Sequence, residues 1–216
     1  MKKQYVVFGL GKFGKSVALE LESLGCEVVA VDNCMEKVQK IADEVSFAMC
    51  ADIEDPEVIQ SLGARNLDGA VVAVAESLET SIMATILSKE MGIPYVLAKA
   101  QSDLHATILK KVGADMIIFP EKEMGRRVAR NLMSGNFADW IELSPDYSLV
   151  ELEMPDSWVG KRLIDLQVRE KFGINVVGII ENGMIDVTID PESIMKEKTI
   201  VILIGSTKAL QNFKKE

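Results

Sequence analysis

Histidine occurs once in the 216 residues, as His105. That excludes a multi-histidine metal site and a histidine-rich active site. His105 itself falls inside an expected helix and is read as structural. Cysteine occurs three times, as Cys26, Cys34 and Cys50, and no two are spaced C-x-x-C. The spacing therefore offers neither a zinc ribbon nor a thioredoxin-type dithiol, and the three are expected to act as small, partly buried hydrophobes. No apolar run approaches the ~20 residues of a membrane span. The opening Met1-Lys2-Lys3-Gln4 leads into a short strand and a glycine turn, which is wrongly built for a signal peptide, so a cytoplasmic location is expected. Positive charge is in deficit: 24 Lys and Arg stand against 33 Asp and Glu, a net charge of −9. Such a surface repels a phosphate backbone, and nucleic acid is not expected as a partner.

What is present is ordinary globular composition, with 48% hydrophobic and 26% charged residues. Short apolar runs alternate with amphipathic stretches. Tyr5–Phe8, Val28–Val31, Phe47–Cys50, Ala70–Val74, Tyr95–Ala98 and Met116–Phe119 read as buried strands. Helices are expected between them over Ser16–Leu24, Met35–Val45, Asp55–Gly63, Thr80–Met91 and Asp103–Val112, with Asp103 as a cap. Another helix runs from Pro120 to Met133. This alternation predicts an α/β fold, a Rossmann-type doubly wound parallel sheet. The pattern then changes. Residues 136–147 read as a linker, and residues 148–216 as a small α+β C-terminal module. In that module a half-exposed strand over Ser148–Met154 precedes a helix over Lys161–Lys171, with Leu163, Ile164 and Leu166 facing inward. Two strands meet at an Asn182-Gly183 hairpin turn. The expected division is thus 1–135, 136–147 and 148–216.

Gly9-Leu10-Gly11-Lys12-Phe13-Gly14 is a G-x-G-x-x-G motif placed between the first strand and the first helix. Asp32 ends the next strand, about 20 residues on, which is the context the motif needs to bind a dinucleotide or nucleotide. Gly9 allows the tight turn, Gly11 lets a pyrophosphate approach the backbone, and Gly14 lets the helix close on the sheet. The helix N-terminus supplies free N–H donors. Asp32 can accept from both ribose hydroxyls and would repel a 2′-phosphate, which disfavours NADP. Lys12 could reach a terminal phosphate, which favours ATP or ADP at least as much as NAD; it could equally be a solvated lysine. Asp52, Glu76 and Lys99 end strands at the same edge. The two acids either touch the ligand or are loop acids, and Lys99 could add a phosphate contact. Glu121, opening the helix after the sixth strand, either serves a divalent cation beside a polyphosphate or compensates the helix dipole.

The stretches Val7-Phe8-Gly9-Leu10-Gly11-Lys12-Phe13-Gly14, Lys99-Ala100-Gln101 and Gly113-Ala114-Asp115-Met116-Ile117-Ile118-Phe119-Pro120-Glu121 carry a resemblance. So does Gly160-Lys161-Arg162-Leu163-Ile164-Asp165-Leu166. Across essentially its whole length the chain resembles the TrkA/KtrA-type regulatory subunits of bacterial potassium uptake systems, proteins built on RCK domains. The resemblance implies a homodimer that assembles into an octameric ring beneath a membrane potassium channel subunit. It implies ATP or ADP, alternatively NAD or NADH, in the glycine-loop site, where Gly9, Gly11, Gly14 and Asp32 carry over directly; with Leu10, Lys12, Phe13, Asp52 and Lys99 from the reading above they make up the expected nucleotide site. It also implies a cation at Glu121. Lys12 departs from the arginine frequent in the family, and a point-charge ammonium replaces a forked guanidinium there. In the C-terminal module the resemblance implies a possible cyclic di-AMP site at Ile164, Arg169, Asn175 and Pro191. The helix after Pro120 would be the family's crossover helix, whose Met124, Val128 and Met133 fit either a partner or the chain's own sheet. The expected function is therefore a non-enzymatic, nucleotide-sensing gating subunit. The rival readings are an NAD-dependent oxidoreductase and a nucleotide sensor serving another system.

Overall fold

The computed structural model describes residues 2–55, 57–58, 66–74, 77–134 and 137–213, which fall into two compact units, 1–121 and 122–216.

In the first unit the strands are β1 (Gln4–Phe8), β2 (Glu27–Asp32), β3 (Phe47–Cys50), β4 (Gly69–Val72), β5 (Val96–Lys99) and β6 (Met116–Ile118). They form one sheet in the order β3-β2-β1-β4-β5-β6, and every pairing is parallel. Successive side chains of a strand point to opposite faces, so a continuous apolar run serves two cores at once. Val6 and Phe8 enter one core with Val31, Val72 and Val96. Val7 enters the other with Val28, Ala30 and Val71. The helices cover these faces: α1 (Lys12–Ser23), α2 (Met35–Gln39), α3 (Leu78–Glu90) and α4 (Asp103–Lys111). The strand order reverses direction at β1, between β2 and β4, and that opens a crevice beyond the strand ends.

Helix starts differ in detail from expectation. Helix α1 begins directly at Lys12, because Gly11 is its extended N-cap residue and provides no side-chain cap. Helix α4 is capped by Ser102 rather than Asp103: its hydroxyl accepts from the His105 N–H at 3.1 Å. His105 is buried, its Nδ1 accepts from the Gln101 N–H at 3.4 Å, and burial pushes its pKa down. Helix α2 ends at Gln39, short of Val45. The expected helix over Asp55–Gly63 lies mostly outside the described residues.

Helix α5 (Pro120–Ser134) begins in the first unit and continues in the second. The second unit holds β7 (Phe137–Glu142), β8 (Tyr147–Glu153), α6 (Leu163–Leu166), α7 (Val168–Phe172), β9 (Ile174–Glu181), β10 (Met184–Asp186), β11 (Ile200–Ser206) and α8 (Thr207–Phe213). Its sheet is antiparallel, in the order β10-β9-β11-β8-β7. Ser148, Val150 and Leu152 alternate inward along β8. Val150 and Leu152 pack with Trp140, Trp158, Ile174, Leu203 and Phe213 in a separate core. Asn182 and Gly183 both take positive φ, 53° and 78°, as a two-residue hairpin turn of the primed type requires.

Two expectations are corrected here. Residues 136–147 are not a plain linker, because β7 takes up 137–142 and pairs with β8. Its Trp140 is buried and donates from Nε1 to Ser148 Oγ at 3.1 Å, while Arg127 of α5 pairs with Asp139. The helix expected over Lys161–Lys171 is two short helices, because Gln167 sits in the left-handed region (φ 49°, ψ 41°) and divides them. Ile164 is consequently 51% exposed rather than inward. Among the described residues no helix is long and apolar enough to cross a membrane.

Candidate functional site

The glycine loop is shaped by two close approaches and one open side. Gly9 has φ +91°, and a Cβ there would stand 2.9 Å from the Val74 nitrogen. A Cβ on Gly14 would stand 1.9 Å from the Gly9 carbonyl oxygen, so only glycine lets α1 begin this close to the loop. At Gly11 an added Cβ would meet nothing within 4 Å. That open side faces a cavity of about 470 Å³. The volume is within the usual range for small-molecule sites.

Gly9, Gly11, Lys12 and Phe13 form one wall of the cavity, Asp32, Asn33 and Lys37 another, and Asp52, Ile53 and Glu54 a third. Ala73, Val74, Ser77, Thr80, Lys99 and Glu121 complete it. Of the residues named from sequence, Gly9, Gly11, Lys12, Phe13, Asp32, Asp52, Lys99 and Glu121 are thus brought together. Leu10 and Gly14 support the loop from behind. Leu10 donates its N–H to Asp32 Oδ2 at 2.7 Å, and Gly14 supplies the close packing. Glu76 lies outside the described residues.

Asp32 is 4% exposed, yet its carboxylate is well served. Oδ2 takes the Leu10 amide, Oδ1 takes the Cys34 amide at 2.9 Å, and the Lys37 ammonium stands 3.4 Å from Oδ2. These donors replace the water that burial takes from the carboxylate. The amide bonds also tie the acid to the loop, so the two parts of the site are set by one another. Lys37, five residues after Asp32, was missed from sequence because it reads as one more solvated helix lysine.

Lys99 ends β5 with its side chain only 10% exposed. Its ammonium bonds Glu121 Oε1 at 2.5 Å and lies 5.8 Å from the centre of the Phe13 ring. The hydrogen bond from Lys99 holds the Glu121 carboxyl below the usual carboxylate range. Among the described residues no group of three or more His, Cys, Asp or Glu could hold a metal ion. Among the described residues the Glu121 carboxylate is instead engaged by the Lys99 ammonium.

Other cavity residues serve local structure. Asp52 Oδ1 accepts from the Glu54 N–H at 3.0 Å. Ser77 caps α3, accepting from the Thr80 N–H at 3.1 Å, and the Thr80 hydroxyl donates to Glu54. The signal for Ser77 and Thr80 was available: a serine N-cap directly after a parallel strand lies at the ligand edge of such a sheet.

In the second unit Ile164, Arg169, Asn175 and Pro191 are all exposed. The Ile164 N–H donates to the Pro191 carbonyl at 2.9 Å, which brings those two together. Two cavities in this unit, of about 380 and 350 Å³, are lined by other residues. On α5, Met124 is 55% exposed and Val128 is 47% exposed, and Leu132, not named from sequence, is 79% exposed. The Met133 side chain lies outside the described residues.

The TrkA-N domain model matches residues 5–120 and the TrkA-C domain model matches residues 148–216. The chain belongs to the TrkA family. It is 39% identical to Ktr system potassium uptake protein C of Bacillus subtilis over 215 residues, covering 100% of this chain and 97% of that one. It is also 39% identical to Ktr system potassium uptake protein A of the same organism, covering 99% and 96%. Among solved structures, the GsuK channel bound to NAD shares the fold, with a TM-score of 0.65 and 17% identity, covering 97% of this chain and 38% of the other. The TrkA-family chain thus spans well under half the length of that channel chain. Within the family frame, the loop, Asp32 and the Lys99–Glu121 pair all belong to the TrkA-N match, apart from Glu121, which lies one residue beyond its end.

Proposed function

We propose that this chain is a nucleotide-sensing regulatory subunit of a potassium uptake system. One observation carries the reading: a single cavity gathers an open glycine loop, a buried Asp32 and three ammonium groups, Lys12, Lys37 and Lys99. Full-length similarity to Ktr potassium uptake proteins supports the physiological setting. The ligand is an adenine nucleotide, ATP or ADP, alternatively NAD or NADH. The α1 amides and Gly11 would receive phosphates, and Asp32 with Lys37 would receive the ribose.

Regulation needs a ligand that binds two shapes of the assembly with different affinity. In this reading the chain dimerises and builds an octameric ring at the inner face of the membrane under a channel subunit. The exposed apolar side of α5 supplies part of a partner contact. Residues 1–135 act as the nucleotide domain and residues 148–216 as a second ligand module, with Ile164, Arg169, Asn175 and Pro191 as the candidate contacts for cyclic di-AMP. The role is non-enzymatic. Full-length similarity to Ktr potassium uptake proteins supports this part of the reading.

The test is a calorimetric titration of purified protein with ATP, ADP, NAD, NADH, NADP and cyclic di-AMP. Binding of ATP or ADP that is weakened at least tenfold in Asp32→Ala is expected. Sustained NADH turnover with small carbonyl substrates would move the assignment to an oxidoreductase. No binding of any nucleotide would end the reading.

A further inference from the structure

Two of the three cysteines lie next to cavity-lining segments, Cys34 after Asn33 and Cys50 two residues before Asp52, and the third does not. Cys34 follows the end of β2 and serves as the N-cap residue of α2, while Cys50 ends β3. The parallel register sets Cys50 opposite Asp32, and the Ala51 N–H donates to the Asp32 carbonyl at 3.1 Å. Cys50 is exposed and Cys34 is half-buried, so Cys50 is not the partly buried hydrophobe expected from sequence. Cys26, by contrast, lies before the start of β2, at the other end of that strand.

The distance between the pair is bounded by covalent geometry. Cys50 Sγ lies 3.5 Å from the Asn33 carbonyl oxygen. In a planar trans peptide that oxygen is about 2.8 Å from the next Cα, so Cys50 Sγ stands no further than roughly 6.3 Å from the Cα of Cys34. That sulfur-to-α-carbon distance is longer than a formed disulfide allows, so closing the link takes a rotamer change together with a movement of the β2–α2 turn toward β3.

We infer that Cys34 and Cys50 are a reversible thiol–disulfide pair whose oxidation lowers nucleotide affinity. The oxidant is a low-molecular-weight disulfide. The exposed Cys50 thiolate attacks one sulfur of the oxidant, which leaves as a thiolate and takes up a proton. Cys34 then attacks the resulting mixed disulfide and releases the second thiol. Two protein thiols are oxidised, one small disulfide is reduced to two thiols, and the balance is complete. A cytosolic disulfide of this kind is transient and regulatory rather than structural.

The consequence follows from the Cys34 backbone. Its N–H donates to Asp32 Oδ1, one of the bonds that hold the ribose acid in place. A link to Cys50 draws Cys34 toward β3 and away from that carboxylate. Asn33, which lines the cavity, moves with it. Only this consequence rests on the nucleotide reading; the thiol pair itself does not.

The experiment treats reduced full-length protein with glutathione disulfide, maps the non-reduced peptides and titrates ADP. A Cys34–Cys50 linked peptide is expected, with an ADP affinity at least tenfold weaker that dithiothreitol restores. Cys50→Ser should form no link and keep its ADP affinity through the same treatment, and Cys26→Ser should behave as wild type. A map without the linked peptide overturns the pair, and linked protein that binds ADP like reduced protein overturns its regulatory effect. If reduced protein binds no nucleotide, the functional reading falls, while the peptide map still decides whether the pair forms.

Discussion

Single residues divide the site into parts that hold shape and parts that face ligand. Gly14 and Gly11 test that division as a pair. Gly14→Ala forces its Cβ against the Gly9 carbonyl and should cost about 2 kcal/mol or more in urea unfolding. Gly11→Ala places its methyl in open space, so stability should change by less than about 1 kcal/mol while phosphate approach is blocked. Equal destabilisation by both would contradict this division. Lys99→Gln should weaken nucleotide binding and move the Glu121 carboxyl up toward the usual carboxylate range. A Glu121 side-chain NMR midpoint that stays at its wild-type value would show that Lys99 is not what lowers it. The loop, Asp32, Asp52, Lys99 and Glu121 were legible because each sits at a strand end, where parallel topology collects side chains from distant positions. Lys37 and Glu54 were not legible, since their place depends on how short helices and turns pack over that edge.

At the scale of elements, propensity and pattern placed the six parallel strands well, because buried strands announce themselves as apolar runs. They failed where a polar residue is satisfied from elsewhere. Asp139 made residues 136–147 look like a linker, yet Arg127 and Asn131 hydrogen-bond it within β7. The bond from Arg127 keeps Asp139 below the ordinary carboxylate range. A depressed folded-state pKa contributes stability that is present above the unfolded value and is lost as pH falls through the folded one. Asp139→Asn should therefore lose about 1 kcal/mol near neutral pH, allowing for the half-exposed arginine, and should narrow its gap to wild type in acid. Chemical unfolding at the two pH values measures this, and a gap that widens in acid would reverse the assignment. The break between α6 and α7 was equally hidden, because nothing about glutamine announces a left-handed residue. Gln167→Gly should stabilise the second unit by about 0.5–1 kcal/mol, since glycine occupies that conformation without a Cβ penalty. A melting temperature that falls instead would mean that the Gln167 side chain contributes more than its backbone costs.

The whole molecule carries two kinds of core: a parallel sheet filled on both faces, and an antiparallel sheet with its own cluster. Calorimetry should resolve two unfolding transitions, with ADP raising the one that belongs to the first unit. At about 100 times the dissociation constant the gain is roughly 2.7 kcal/mol. A single transition that ADP shifts as a whole would show that the two cores unfold together. The division of aromatic residues gives this a practical edge. Both tryptophans of the chain, Trp140 and Trp158, are buried in the second core, and the nucleotide cavity has none. Indole emission is therefore an optical label already written into one half of the protein. A nucleotide added to the other half can change its colour or intensity only if the message crosses between them.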